Sequence, residues 1–66
     1  MVVQSILVPY RYSLDDAIRW VMDHDYVVRK IDFTDKYMRF RQFTPTPDYH
    51  YRTMKLPTGI RLIIGY

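Results

Sequence analysis

The chain has 66 residues, of which 48% are hydrophobic and 26% charged, and it contains no cysteine. This length predicts a single domain over residues 1–66, and the composition is typical of a folded, soluble protein rather than a disordered segment. The lack of cysteine excludes disulfide bonds and thiolate zinc sites. Since so short a chain buries only about 60% of its unfolded surface, a homodimer remains open as a further source of stability.

The net charge of +3 is unevenly distributed along the chain. Residues 1–28 contain two cations and four aspartates, which gives −2, whereas residues 29–66 contain eight cations and three aspartates, which gives +5. This asymmetry favours an anionic partner for the second part of the chain, either nucleic acid or an acidic protein.

No segment of the sequence suggests a membrane partner. The longest apolar runs, residues 6–8 and 62–64, are far shorter than the roughly 20 residues of a membrane span. Residues 1–4 lack the features of a signal peptide. We therefore expect a cytoplasmic protein.

The first two predicted elements are a strand and a helix. Residues 2–8 are apolar and β-branched and precede Pro9, which predicts a strand at the centre of a sheet. Ser13 is a typical helix N-cap and precedes two aspartates, whose carboxylates suit the positive end of the helix dipole. An apolar stripe at helical spacing then predicts an amphipathic helix that ends near residues 23–25: Leu14, Ala17, Ile18 and Val21. Asp25 is expected to adopt the left-handed conformation at the helix end.

Four further strands are predicted at residues 26–33, 36–43, 49–56 and 60–66. The segment 44–48 contains two prolines and is excluded from a strand interior, and residues 57–59 are typical of a hairpin turn. The fold class is therefore α+β in the order β-α-β-β-β-β, with one amphipathic helix on one face of a small mixed, mostly antiparallel sheet. A right-handed crossover would make the first two strands parallel neighbours, and the others would form an antiparallel meander.

The strand predicted at residues 36–43 has the most informative pattern. With a period of two, Met38 and Phe40 point to one face of the sheet. If the helix covers them, the other face of the sheet is open and displays alternating aromatic and cationic side chains. The two later strands add further aromatic and cationic side chains to this face, together with Thr53 and Ile63. The candidate binding residues are Tyr37, Arg39, Arg41, Phe43, Tyr51, Lys55 and Arg61.

Cations neutralise phosphates and aromatic rings stack on bases, so this face is typical of a surface that binds single-stranded nucleic acid. A merely solvated face would show the same pattern. A dimer contact would show it too, with Phe43, Tyr51 and Ile63 at its apolar centre.

Residues suited to catalysis are scarce in the sequence. It contains no glutamate, no nucleophile–base pattern and no Gly-rich phosphate loop, so we expect no enzyme and no cofactor. Asp23, His24 and Asp25 are the nearest approach to a metal or acid–base cluster, but their position favours a hydrated helix end. His50 is expected to be a strand residue near a sheet edge.

Several short motifs follow one another along the chain. They are Pro9 after a strand, Trp20 in the helix, His-x-Tyr at 24–26, Lys-x-Asp-x-Thr at 30–34, Arg-Phe-Arg-Gln at 39–42, Tyr-Arg-Thr at 51–53 and Gly-Ile-x-Leu-Ile-Ile-Gly at 59–65. In these motifs nearly the whole chain resembles a small α+β module of tailed-phage and other large-virus genomes. Asp25 departs from that pattern, in which Gly is expected.

The resemblance implies a stand-alone viral protein, or a segment encoded near head-morphogenesis genes, and it implies no particular activity. Together with the residue pattern, it predicts a non-enzymatic viral accessory module that binds through its basic, aromatic sheet face in the host cytoplasm. Nucleic acid is the first candidate partner. The alternative is a protein-interaction factor, either a host-defence inhibitor or a virion-associated component, which binds an acidic protein or a second copy of itself.

Overall fold

The computed structural model describes residues 2–66, which form one helix and a five-stranded antiparallel sheet. The elements are β1 (Val2–Pro9), α1 (Leu14–Asp23), β2 (Ile31–Phe33), β3 (Tyr37–Arg41), β4 (Tyr51–Lys55) and β5 (Arg61–Gly65). The predicted α+β class and the order of elements along the chain are confirmed.

The arrangement of strands differs from the prediction. They lie in the order β2-β3-β1-β5-β4, and every pairing within residues 2–66 is antiparallel. The predicted parallel contact between β1 and β2 is wrong because β3 lies between them, and the predicted meander is wrong because β4 lies at the far edge. β3 buries Met38 and Phe40 and so takes an interior position, whereas β2 is short and leaves Phe33 exposed, as suits an edge.

The hydrophobic core lies between α1 and one face of the sheet. Ala17 and Val21 of the helix are fully buried there, whereas Leu14 is 41% exposed and lies outside the core that its spacing predicted. The sheet contributes Ile6, Val8, Met38, Phe40, Ile60, Leu62 and Ile64. Complete burial of side chains of this size contributes about 1.5–3 kcal/mol each, which makes this single layer the main source of stability.

The ends of α1 agree with the prediction. The Ser13 hydroxyl accepts a hydrogen bond from the Asp16 backbone N–H at 3.1 Å, which satisfies one free donor of the first turn. Asp25 has a φ of +63°, and the next backbone N–H, that of Tyr26, donates to the Val21 carbonyl at 3.0 Å. α1 has ten residues, and no helix within residues 2–66 has the length and apolar character required to cross a membrane.

The predicted second strand, residues 26–33, is wrong in its first part, because residues 26–30 are irregular. There the backbone of Val27 forms hydrogen bonds with the Gln42 side chain. Its Oε1 accepts from the Val27 N–H and its Nε2 donates to the Val27 carbonyl, both at 2.9 Å. The three later strands are shorter than predicted, and β1 extends to Pro9.

Turn and loop positions are confirmed. The segment 44–48 lies outside every strand, and residues 56–60 connect β4 and β5 as a hairpin. Gly59 has a φ of +91°, a conformation that residues with a side chain rarely adopt, and its N–H donates to the Leu56 carbonyl at 3.0 Å.

Candidate binding face

The side of the sheet away from α1, which we call the open face, holds the predicted binding residues of the strands. Met38 and Phe40 of β3 lie in the core, so the alternate residues of β3 point to the other side. The strand register extends this alternation across the sheet. The open face comprises Ser5, Leu7, Asp32, Tyr37, Arg39, Arg41, Tyr51, Thr53, Lys55, Arg61 and Ile63.

One row of paired residues crosses all five strands on this face. From β2 to β4 its members are Asp32, Arg39, Leu7, Arg61 and Lys55. Since neighbouring strands lie about 4.8 Å apart, the three cations of the row are spread over roughly 14 Å. The ion pairs found within residues 2–66, Arg19–Asp16 and Arg41–Asp32, include none of these three cations. We call Arg39, Arg61 and Lys55 the cationic row.

Arg39 is held in place by buried polar groups. Its Nε donates to Ser5 Oγ at 3.2 Å and its Nη2 to Gln4 Oε1 at 3.4 Å. Gln4 and Ser5 are buried and lie next to a register shift between Val3 and Ser5, a β-bulge. The bulge places the Gln4 side chain within reach of the open face. A fixed guanidinium loses less conformational freedom when it binds an anion.

Arg41 and Arg61 are each in contact with a neighbouring side chain. Arg41 Nη2 lies 3.1 Å from Asp32 Oδ2, and both side chains are 32% exposed, so this pair contributes at most about 1 kcal/mol to stability. The Arg61 guanidinium lies 5.6 Å from the centre of the Tyr37 ring, two strands away across β1. This cation–π contact leaves the charge of Arg61 uncompensated.

Three aromatic rings form a cluster at the end of the open face near Gly65. The ring centres of Phe43 and Tyr49 lie 6.1 Å apart, and those of Tyr49 and Tyr51 lie 6.2 Å apart. Gly65 lies against them: a Cβ there would be 3.1 Å from Tyr51 Cε1 and 3.2 Å from Tyr49 Cβ. We call Phe43, Tyr49 and Tyr51 the aromatic cluster.

Tyr49 was not among the predicted binding residues. The signal was present, since it lies two positions before Tyr51 in the predicted strand at residues 49–56 and would share its face there. Of the predicted residues, the structure places Phe43 and Tyr51 in the aromatic cluster and Arg39, Arg61 and Lys55 in the cationic row.

A cleft of about 380 Å³ lies where β3 ends, and it contains cations that the sequence pattern missed. Its walls are formed by Arg29, Lys30, Arg41, Gln42, Phe43 and Thr44. In a regular strand over residues 26–33, Arg29 and Lys30 would have pointed to opposite faces. Because that segment is irregular, both line the cleft.

The two histidines lie in separate places: His24 is the C-cap of α1, and His50 directly precedes β4. The His24 ring stacks on Trp20 with 3.8 Å between ring centres, and its Nδ1 lies 2.8 Å from the Trp20 carbonyl oxygen. No group of three or more potential metal ligands is assembled within residues 2–66. His50 exchanges two backbone hydrogen bonds with Tyr66 and so extends the pairing of β4 with β5.

Comparisons of the chain with protein-family models, with curated proteins and with solved structures found no match. The resemblance to a module of phage and large-virus genomes therefore stays a prediction.

Proposed function

We propose that the protein binds single-stranded nucleic acid through the open face, as a non-enzymatic accessory module of a virus acting in the host cytoplasm. The observation that carries the proposal is that the cationic row and the aromatic cluster share one sheet face, four residues apart along β4, and that this face lies opposite α1, the helix within residues 2–66. Arg39, Arg61 and Lys55 supply charge for phosphates, and the rings supply surfaces for bases. The viral setting rests on the sequence resemblance alone.

A single strand suits this face better than a duplex does. Stacking requires bases whose flat surfaces are free, which a single strand offers and a duplex hides within its own stack. Reading a duplex groove requires a projecting helix or β-ribbon, whereas the cations here lie across a sheet face. Binding is therefore expected to depend little on the base sequence of the strand.

Salt dependence tests the proposal. Fluorescence anisotropy with a labelled oligothymidylate would give the affinity as a function of salt concentration. If the cationic row neutralises three phosphates, the logarithm of the affinity should fall against the logarithm of salt with a slope of about −2. An absence of detectable binding at low salt would sink the proposal.

A pair of arginine variants locates the binding surface. Arg61→Ala should weaken binding several-fold and make the salt slope less steep by about 0.7, because one phosphate contact is lost. Arg52→Ala is the matched control, since Arg52 lies on the adjacent strand but on the side of α1. Equal losses in both variants would show that overall charge, and not the open face, attracts the nucleic acid.

An acidic protein is the alternative partner, because the charge of the open face suits any polyanion. Tyr49→Leu separates the two partners. It removes an exposed ring without changing charge, and base stacking is worth about 1–3 kcal/mol per base. The variant should therefore bind oligothymidylate at least fivefold more weakly and bind polyglutamate unchanged. Tighter binding of the unaltered protein to polyglutamate than to oligothymidylate would favour the protein-interaction alternative.

A further inference from the structure

The cleft at the end of β3 lies at one corner of the open face, beside the aromatic cluster. Its volume of about 380 Å³ is within the range of roughly 300–1,000 Å³ that small-ligand sites occupy. Phe43 belongs both to its wall and to the aromatic cluster, so a ligand in the cleft would adjoin a strand that lies across the face.

The walls of the cleft are held together by hydrogen bonds. The two bonds between the Gln42 side-chain amide and the backbone of Val27 attach the irregular segment to β3. The backbone N–H of Arg41 also donates to the backbone carbonyl of Lys30 at 3.4 Å, and the backbone N–H of Gln42 donates to the backbone carbonyl of Gln4 at 2.7 Å. These bonds fix the backbone that bears Arg29 and Lys30, although both side chains are exposed.

The charge of the cleft suits a doubly charged anion. Arg29, Lys30 and Arg41 provide three positive charges, and Asp32 compensates one of them through its ion pair with Arg41, which leaves +2. A phosphate monoester carries between about −1.5 and −2 at pH 7, whereas each internal phosphate of a nucleic acid carries a single negative charge.

Arg41 retains capacity to donate to such an anion. Its ion pair with Asp32 uses only Nη2, so that pair does not engage the rest of the guanidinium. An arginine has five N–H donors in a planar fork, and this geometry matches phosphate oxygens.

We propose that the cleft binds the terminal phosphate of a nucleic-acid strand, with the adjoining base against Phe43 and the rest of the strand on the open face. This inference rests on the proposed function and adds an end preference to it. Arg29, Lys30 and Arg41 contact the phosphate oxygens, and Gln42 positions the first two through the backbone.

The test compares three forms of one labelled oligothymidylate: with a 5′-phosphate, with a 3′-phosphate, and with hydroxyls at both ends. Anisotropy at fixed salt concentration should show about tenfold tighter binding for one phosphorylated form, since charge-assisted hydrogen bonds are the strong ones. Lys30→Ala should abolish the preference and leave the affinity for the hydroxyl-ended strand within twofold. Lys36→Ala, which removes an exposed lysine outside the cleft, is the control and should keep the preference.

The outcomes separate this inference from the proposed function. Equal affinity for all three forms would overturn the end preference and leave binding through the open face intact. A preference that survives Lys30→Ala would overturn the assignment to the cleft. Thymidine monophosphate that bound as tightly as the phosphorylated strand would show that a free nucleotide is the ligand. No binding of any form would refute the proposed function itself.

Discussion

Gln4 connects the cationic row to the aromatic cluster although it is only 1% exposed. Its Nε2 donates to the Phe43 carbonyl at 2.6 Å, and its Oε1 accepts from Ser5 Oγ and from Arg39 Nη2. One buried amide thus joins a member of the cationic row to the backbone of the aromatic cluster. A buried network of this kind favours a single arrangement, because each partner left alone would carry a desolvation penalty.

Gln4→Leu tests this role. The substitution keeps most of the side-chain volume but leaves Ser5, Arg39 and the Phe43 carbonyl without their shared partner. We expect the free energy of unfolding to fall by about 1–3 kcal/mol, measured by urea denaturation with an unchanged slope. Lys36→Ala, at an exposed position, should change it by less than about 0.5 kcal/mol. A similarly small effect of Gln4→Leu would contradict a structural role for the network.

For single residues, the period-two pattern of the sequence predicted most of the side chains on the open face. Arg39 and Arg41 lie on the side opposite Met38 and Phe40, as the alternation required. Gln4 escaped prediction because strict alternation with Ile6 and Val8 would place it in the core. The bulge between Val3 and Ser5 breaks that alternation, and Val3 packs against the core instead. A bulge depends on pairing with β5 and so leaves no local signal.

The C-terminal end of α1 is the element whose geometry conflicts most with its sequence. Asp25 has a φ of +63°, which costs energy for any residue with a Cβ, and it follows Asp23 at the negative end of the helix dipole. The helix ends there because the next backbone N–H groups donate to acceptors outside the α-helical pattern. That of Tyr26 donates to the Val21 carbonyl, and that of Val27 donates to Gln42 Oε1.

Asp25→Gly should therefore stabilise the protein. Relief of the left-handed strain and removal of a charge that opposes the dipole together outweigh the greater chain entropy of glycine, for a net gain of about 0.5–1 kcal/mol. Asp25→Asn is the matched control, because it removes the charge and keeps the Cβ, and it should gain only about 0.3 kcal/mol. Urea midpoints would measure both. Equal gains, or a loss in the glycine variant, would contradict the contribution of strain.

The elements themselves were predictable where local chemistry determines them. Ser13 and the apolar residues at helical spacing indicated where the helix starts, and Gly59 indicated the hairpin turn. The extent of β2 and the order of strands were not predictable, since they depend on contacts between distant residues. The Gln42 amide binds Val27, fifteen positions away, and β3 displaces β2 from β1 because it has more apolar surface to bury.

The whole molecule has two sides of different charge. Asp15, Asp16 and Asp23 belong to α1, on one side of the sheet, while the cationic row lies on the other. A polyanion would therefore be attracted to the open face and repelled from the helix, which orients the encounter before any contact forms.

Binding to the open face should also stabilise the fold as a whole, because the row and the cluster draw residues from β3, β4 and β5 that come together only in the folded chain. A ligand at 100 times its Kd, with no affinity for the unfolded state, adds about 2.7 kcal/mol. For a domain of this size each kcal/mol raises the Tm by about 4–8 °C, so oligothymidylate at low salt should raise it by roughly 10–20 °C. High salt should remove the shift, since it weakens the phosphate contacts. An unchanged Tm at a ligand concentration that saturates the anisotropy signal would mean that the unfolded chain binds equally well, and the folded arrangement of the open face would then have no part in recognition.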